Sequence, residues 1–219
     1  MIKKNFSIFV ALAFIVFSFV YYGVLGNRPA HPTGLIPPSP TPDIIWKTYR
    51  NEEFDFEMKY PSNWKVAEIT EVNGQLVEPI FNFYPQDTSS QPPFIHFSDV
   101  NHVSVYPYGI PTEGISGEYQ ASFVNLNERP SQAIDFILED NTPWATYINF
   151  AQRPASWQES GFIFAGTKTM NLKLVCMRDD QPIELEKCDF GDLIIRSGEI
   201  DTNIRKTQEI MLSSFRFLR

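Results

Sequence analysis

From Phe54 to Tyr60 the chain reads Phe-Asp-Phe-Glu-Met-Lys-Tyr, apolar and charged residues alternating without a slip. Successive strand side chains point to opposite faces, so this pattern predicts a strand with one face buried and the other in water. Pro61 stops the strand, Ser62 is suited to cap a short turn, and Trp64 follows as a large packing residue. Val77–Tyr84 and Val103–Tyr108 read as further strands, as do Phe162–Ala165, Leu172–Cys176 and Leu193–Arg196. Two segments space their apolar residues at helical intervals instead. Ser131 is placed to cap a helix running to Asp140, with Ala133, Ile134, Ile137 and Leu138 on one face. Asp201 or Thr202 can cap a second helix, which carries Ile204, Thr207, Ile210 and Met211. Phe215-Arg216-Phe217-Leu218 then closes the chain as a short strand. Many strands with few, late helices predict an α+β class, a mostly antiparallel sheet with helices packed on it.

The N-terminus follows neither period. Asn5 to Asn27 is uncharged, and Phe6–Leu25 as a helix, rising about 1.5 Å per residue, matches a hydrocarbon core of about 30 Å. Lys3 and Lys4 precede the run and only Arg28 follows it closely. That bias predicts a single-pass membrane anchor over residues 1–28, with a cytoplasmic N-terminus and the rest of the chain extracytoplasmic. The rival reading is a signal peptide cleaved near Gly26, which would leave a secreted protein. The length of the apolar run and the lack of an A-x-A sequence oppose it. Residues 29–43 hold Pro29, Pro32, Pro37, Pro38, Pro40 and Pro42. Proline lacks the amide hydrogen and fixes φ, so this stretch reads as a linker in front of one folded domain, residues 44–219.

Charge narrows the partners. With 18 Lys and Arg against 26 Asp and Glu, the chain has a net charge of −8. That balance argues against nucleic acid and anionic lipid as direct ligands. Cys176 and Cys188 are the only cysteines, and the polar segment between them reads as a loop. In an exported chain such a pair predicts a structural disulfide. A redox role would call for C-x-x-C spacing, which is absent.

Both ends of the folded part carry a resemblance. Trp46-Lys47-Thr48-Tyr49-Arg50-Asn51, followed by the alternating strand and Tyr60-Pro61-Ser62-Asn63-Trp64, resembles the opening of PsbP-related domains with their Tyr-Pro-x-x-Trp stop. Ile210 to Phe217 looks like that family's closing helix and S-F-x-F strand. The resemblance implies a Mog1/PsbP-like antiparallel β-sheet flanked by helices, here behind one N-terminal transmembrane helix, as in bacterial membrane-anchored members. It carries over no functional residues, since Tyr60 and Trp64 match packing positions. Residues 70–154 lie outside the match, which makes them the expected place for any partner-binding specialisation.

Candidate chemistry is sparse. Gly114-Ile115-Ser116-Gly117 lacks the final glycine of G-x-S-x-G and sits in a loop-like stretch. His96, Asp99 and His102 are weak metal candidates with residue types suited to zinc. If 98–101 is a hairpin turn, however, the two imidazoles point to opposite faces, and solvated surface histidines become the better reading. The acidic run from Asp179 to Asp192 lacks the spacing of a calcium loop. No P-loop, dinucleotide fingerprint or H-E-x-x-H motif occurs. Trp144, Tyr147, Phe150 and Trp157 cluster outside any evident strand pattern, and they read as an interaction patch or pocket rim. The expectation is a non-catalytic, membrane-tethered, extracytoplasmic binding or accessory domain, without a cofactor, acting on an envelope protein or small ligand. The alternative is a cell-surface hydrolase or metal-dependent enzyme whose site is assembled from distant loops.

Overall fold

The computed structural model describes residues 44–72, 75–94, 99–109, 117–126, 129–189 and 191–218. The strands run in order β1 (Trp46–Asn51), β2 (Phe56–Pro61), β3 (Trp64–Val72), β4 (Gln75–Pro85), β5 (His102–Tyr106), β6 (Tyr119–Leu126) and β7 (Arg129–Ile137). They continue with β8 (Pro143–Phe150), β9 (Phe162–Gly166), β10 (Thr169–Arg178), β11 (Gln181–Ile183) and β12 (Leu193–Ile200). Helix α1 (Thr202–Ser214) and strand β13 (Arg216–Phe217) complete the chain. Three antiparallel sheets result, ordered β1-β2-β13, β11-β10-β12 and β3-β4-β5-β9-β8-β7-β6.

The seven-stranded sheet is covered on both faces at its centre. Every residue of β5 (His-Val-Ser-Val-Tyr) and β9 (Phe-Ile-Phe-Ala-Gly) is buried, so neither strand shows the usual apolar–polar alternation. On one face Phe81, Phe83, Val103, Val105, Ile163 and Ala165 share a core with Phe56 and Met58 of β2 and with Trp157, Met211 and Phe215. On the other face Tyr106, Phe162 and Phe164 join Phe136, Trp144 and Ile200. Phe56 is fully buried, and its ring lies 5.3 Å from Phe81, 5.7 Å from Phe215 and 6.2 Å from Trp157. The loop that carries Trp157 closes tightly. A Cβ at Gly161 would fall 2.3 Å from the Pro107 carbonyl oxygen and 2.8 Å from the Trp157 ring, so only glycine fits there.

Helix α1 forms as the sequence predicts. The Asp201 side chain accepts hydrogen bonds from the Asn203 and Ile204 amides at 2.8 and 3.2 Å, which satisfies two of the orphan donors of the first turn. Its buried Gln208 donates to the His102 and Gly166 carbonyls at 3.1 and 2.7 Å and accepts from the Thr167 hydroxyl at 2.6 Å. The helix is thereby fixed across β5 and β9. Arg205 donates to the Thr146 hydroxyl at 2.5 Å and pairs with Asp135 at 3.3 Å, while Thr146 bonds Asp135 in turn.

Several expectations need correction. The helix expected over 131–140 is strand β7, paired with β6 on one side and β8 on the other. Ala133, Ile134, Ile137 and Leu138 fit a helical stripe, but pairing to two strands supplies backbone partners and burial that a local helix would forgo. Strands β6 and β8, unrecognised in the sequence, provide that pairing. The helix-flanked α+β, Mog1/PsbP-like architecture is therefore not the one observed. The described residues form a mostly-β fold of three antiparallel sheets with one α-helix. The single-pass membrane location is likewise unsupported. Phe6–Leu25 lies outside the described residues, and among the described residues no helix is long and apolar enough to cross a membrane.

Phe56→Ala should lower the unfolding free energy by roughly 3–5 kcal/mol, as for other large-to-small core substitutions. Urea unfolding of variant and wild type will show this as a shifted midpoint with an unchanged slope.

Candidate interaction surface

The aromatic residues singled out in the sequence lie in or against the core. Trp144, Phe150 and Trp157 are 2%, 3% and 6% exposed, and only Tyr147 is half-buried. Trp144 belongs to the core cluster on one face of the large sheet and Phe150 and Trp157 to the cluster on the other, with Tyr147 packed on the Trp144 side. Each has a packing role. The Trp157 indole N–H donates to the Phe54 carbonyl at 2.7 Å, and the Arg196 guanidinium sits 4.1 Å above the Trp144 ring. The expected surface patch is thus core, because these aromatics lie on strand β8 and on a loop that folds inward.

Two of the three metal candidates fall among the described residues. His96 lies outside the described residues. Asp99 is exposed, while His102 is fully buried on β5. The His102 ring lies 5.5 Å from Phe94 and 5.6 Å from Phe164, and its Nδ1 is 2.9 Å from the Val100 carbonyl oxygen. That oxygen can only accept, so Nδ1 carries the hydrogen. Desolvation pushes the ring's pKa down to about 4, opposed in part by the Val100 bond. His102 is therefore a neutral core residue and not a solvated surface histidine.

Cys176 and Cys188 form the expected disulfide. Beside it, the Arg178 guanidinium holds Asp192 at 2.9 and 2.5 Å, Asp189 at 2.7 Å and the Lys187 carbonyl at 3.0 Å. Asp192 is held low, at about 2, chiefly by the Arg178 bond and then by the Asp189 amide. Both sulfurs and the Asp192 carboxylate lie within 4.8 Å of one another. The sulfurs are spent on each other, however, and the carboxylate already has its cation, so the cluster serves to fold the loop.

What the sequence reading missed is strand β6, at the edge of the seven-stranded sheet. Its residues Tyr-Gln-Ala-Ser-Phe-Val-Asn-Leu include no charge, no proline and no glycine, and its register with β7 is unbroken over eight pairs. Phe123 is 90% exposed and Tyr119 61%. They share one face with Ala121, opposite Gln132, Phe136 and Ile134 respectively. Ile134 pairs in turn with half-buried Tyr147, which extends the apolar surface inward from the edge. The opposite edge, β3, differs in kind. It carries Lys65, Glu68 and Glu71, and its register breaks between Ile69 and Glu71, two devices that discourage strand addition.

The backbone of β6 shows which groups are open. The Ile137 amide donates to the Glu118 carbonyl at 3.0 Å, so 118 and 137 are a hydrogen-bonded pair. Antiparallel ladders alternate such pairs with non-bonded ones. Gln120, Ser122, Val124 and Leu126 therefore direct their backbone groups at β7, while Tyr119, Ala121, Phe123 and Asn125 direct theirs outward. Among the described residues no strand pairs with that outer side. Comparison with family models, curated sequences and solved structures returned no match. The surface has to be read from its own chemistry.

Two outcomes are expected here. The unfolded His102 imidazole takes its proton near 6.5, whereas the native ring resists protonation until about 4. Stability is thus fully present above about 6.5 and falls as pH drops through that window, by roughly 3 kcal/mol across all of it. Urea unfolding at about pH 7 and about pH 4.5 measures the drop. Reducing Cys176–Cys188 opens a loop with a sequence separation of 12 and should lower the unfolding free energy by about 3 kcal/mol. Thermal unfolding with and without a dithiol reductant measures it. Alkylation of the unreduced protein should label no thiol.

Proposed function

We propose that this protein is a non-catalytic binding or accessory domain that engages another polypeptide through the outer edge of β6. One observation carries the reading: a fully exposed phenylalanine, Phe123, on an edge strand without charge, proline or bulge. Lone exposed apolar residues are ordinary on protein surfaces. Here Phe123 stands beside exposed Tyr119 and Ala121, on a strand whose outward amides and carbonyls meet no partner strand among the described residues. That combination suits strand addition, in which main-chain hydrogen bonds give affinity and alternate side chains give specificity.

The test is photo-crosslinking in the cells that make the protein, with a photoreactive residue at position 123 and, as control, at position 65 on the guarded edge. A discrete polypeptide adduct is expected from position 123 and should disappear when Ala121→Pro is added. Equal, diffuse labelling from both positions would sink the proposal.

A further inference from the structure

We infer that the polypeptide received at this edge is a second copy of the same chain, β6 pairing antiparallel with β6 about a two-fold axis at Ser122. This rests on the reading of β6 as a binding edge and adds the identity of its occupant. The register follows from which groups are open. Residues 119, 121, 123 and 125 are the outward-facing set, and they are symmetric about position 122. With Ser122 opposite its own copy, Tyr119 meets Asn125 and Ala121 meets Phe123, each a hydrogen-bonded pair that exchanges two bonds. Shifting the strands in either direction leaves outward groups at one end without partners. None of the four residues is proline, so every outward donor and acceptor is used.

Side chains agree with that register. Opposed positions lie about 4.5–5.5 Å apart at Cβ, so the exposed Phe123 ring falls beside the small Ala121 of the other copy, twice over. Tyr119 falls beside Asn125. Strand β6 carries no charge, so a two-fold pairing, which sets each residue against the same strand, brings no like charges together. The wider molecule repels its copy through a net charge of −8, so association should strengthen as salt screens that repulsion. A basic partner strand would show the opposite salt dependence.

Sedimentation equilibrium on the purified full chain, at low and at high salt, is the primary measurement. The expected result is a monomer–dimer equilibrium that tightens with salt. Ala121→Pro should weaken it at least tenfold while leaving the fold intact, because the lost amide faces outward and bonds nothing within the chain. Ser122→Cys tests the register. Mild oxidation should join two copies through position 122, whose backbones approach to about 4.5 Å in such a pair. Gln120→Cys should not cross-link, since it lies opposite Val124 and four residues, about 13 Å, from its own copy. The native cysteines, bonded to each other, give no background. A protein that stays monomeric, a dimer that loosens with salt, or cross-linking at 120 in place of 122 would overturn the inference. If the monomeric protein still gives a discrete adduct of another polypeptide at position 123, the binding reading stands without it. If position 123 captures nothing, both readings fail.

Discussion

The aromatic contact set around Phe56 ties the two ends of the domain to its middle. Phe56 comes from the second strand, Phe215 and Phe217 from the last residues, and Phe150 and Trp157 from the centre of the chain. Polar bonds fix the same junction. The Leu218 amide donates to the Asp55 carbonyl at 2.7 Å, Ser156 donates to the Asp55 carboxylate at 2.8 Å, and the Trp157 indole donates to the Phe54 carbonyl. Asp55 itself adopts φ 53°, in the left-handed region that aspartate tolerates better than most residues. Without this junction the small β1-β2-β13 sheet would have nothing to cover, and one face of the large sheet would be wet.

Covering both faces of β5 and β9 has a chemical consequence. Polar side chains on those strands must find partners inside the protein. The Asn82 amide donates to the Ser104 hydroxyl at 2.5 Å. Tyr106, buried beside them, has its hydroxyl pushed well above the usual phenol range by desolvation, with bonds to Ser104 and Asn82 pulling the other way. On the opposite side Gln208 bonds the carbonyls of His102 and Gly166 from the helix. The interior is therefore specified by hydrogen bonds as well as by volume.

How much of this was legible depended on local pattern. The alternation of Phe54–Tyr60 and the Asp201 cap are signals contained within a few residues, and both led to the right element. Ser131–Asp140 was ambiguous because Ala133, Ile134, Ile137 and Leu138 satisfy a helical stripe, while the pairs Ala133/Asp135 and Ile134/Phe136 satisfy a strand. Only the neighbours β6 and β8 decide it, and they lie on either side in sequence without strong signals of their own. The aromatic cluster at 144–157 failed for a related reason. Composition showed four large rings close together but not that a strand sends two of them to opposite faces. The exposed edge left no distinctive trace, since residues 88–98, 100–112 and 141–152 are also uncharged.

The contrast between the two edges of the large sheet carries one more implication. A sheet open at both ends can recruit copies without limit, each addition leaving a fresh end for the next, which is the route to fibres. Here one end is guarded by a lysine, two glutamates and a broken register, and the other meets no strand among the described residues. Whatever binds at the open end, the charged end cannot repeat the step. Under the pairing proposed for β6, growth stops at one neighbour, because the guarded β3 edge does not repeat the step.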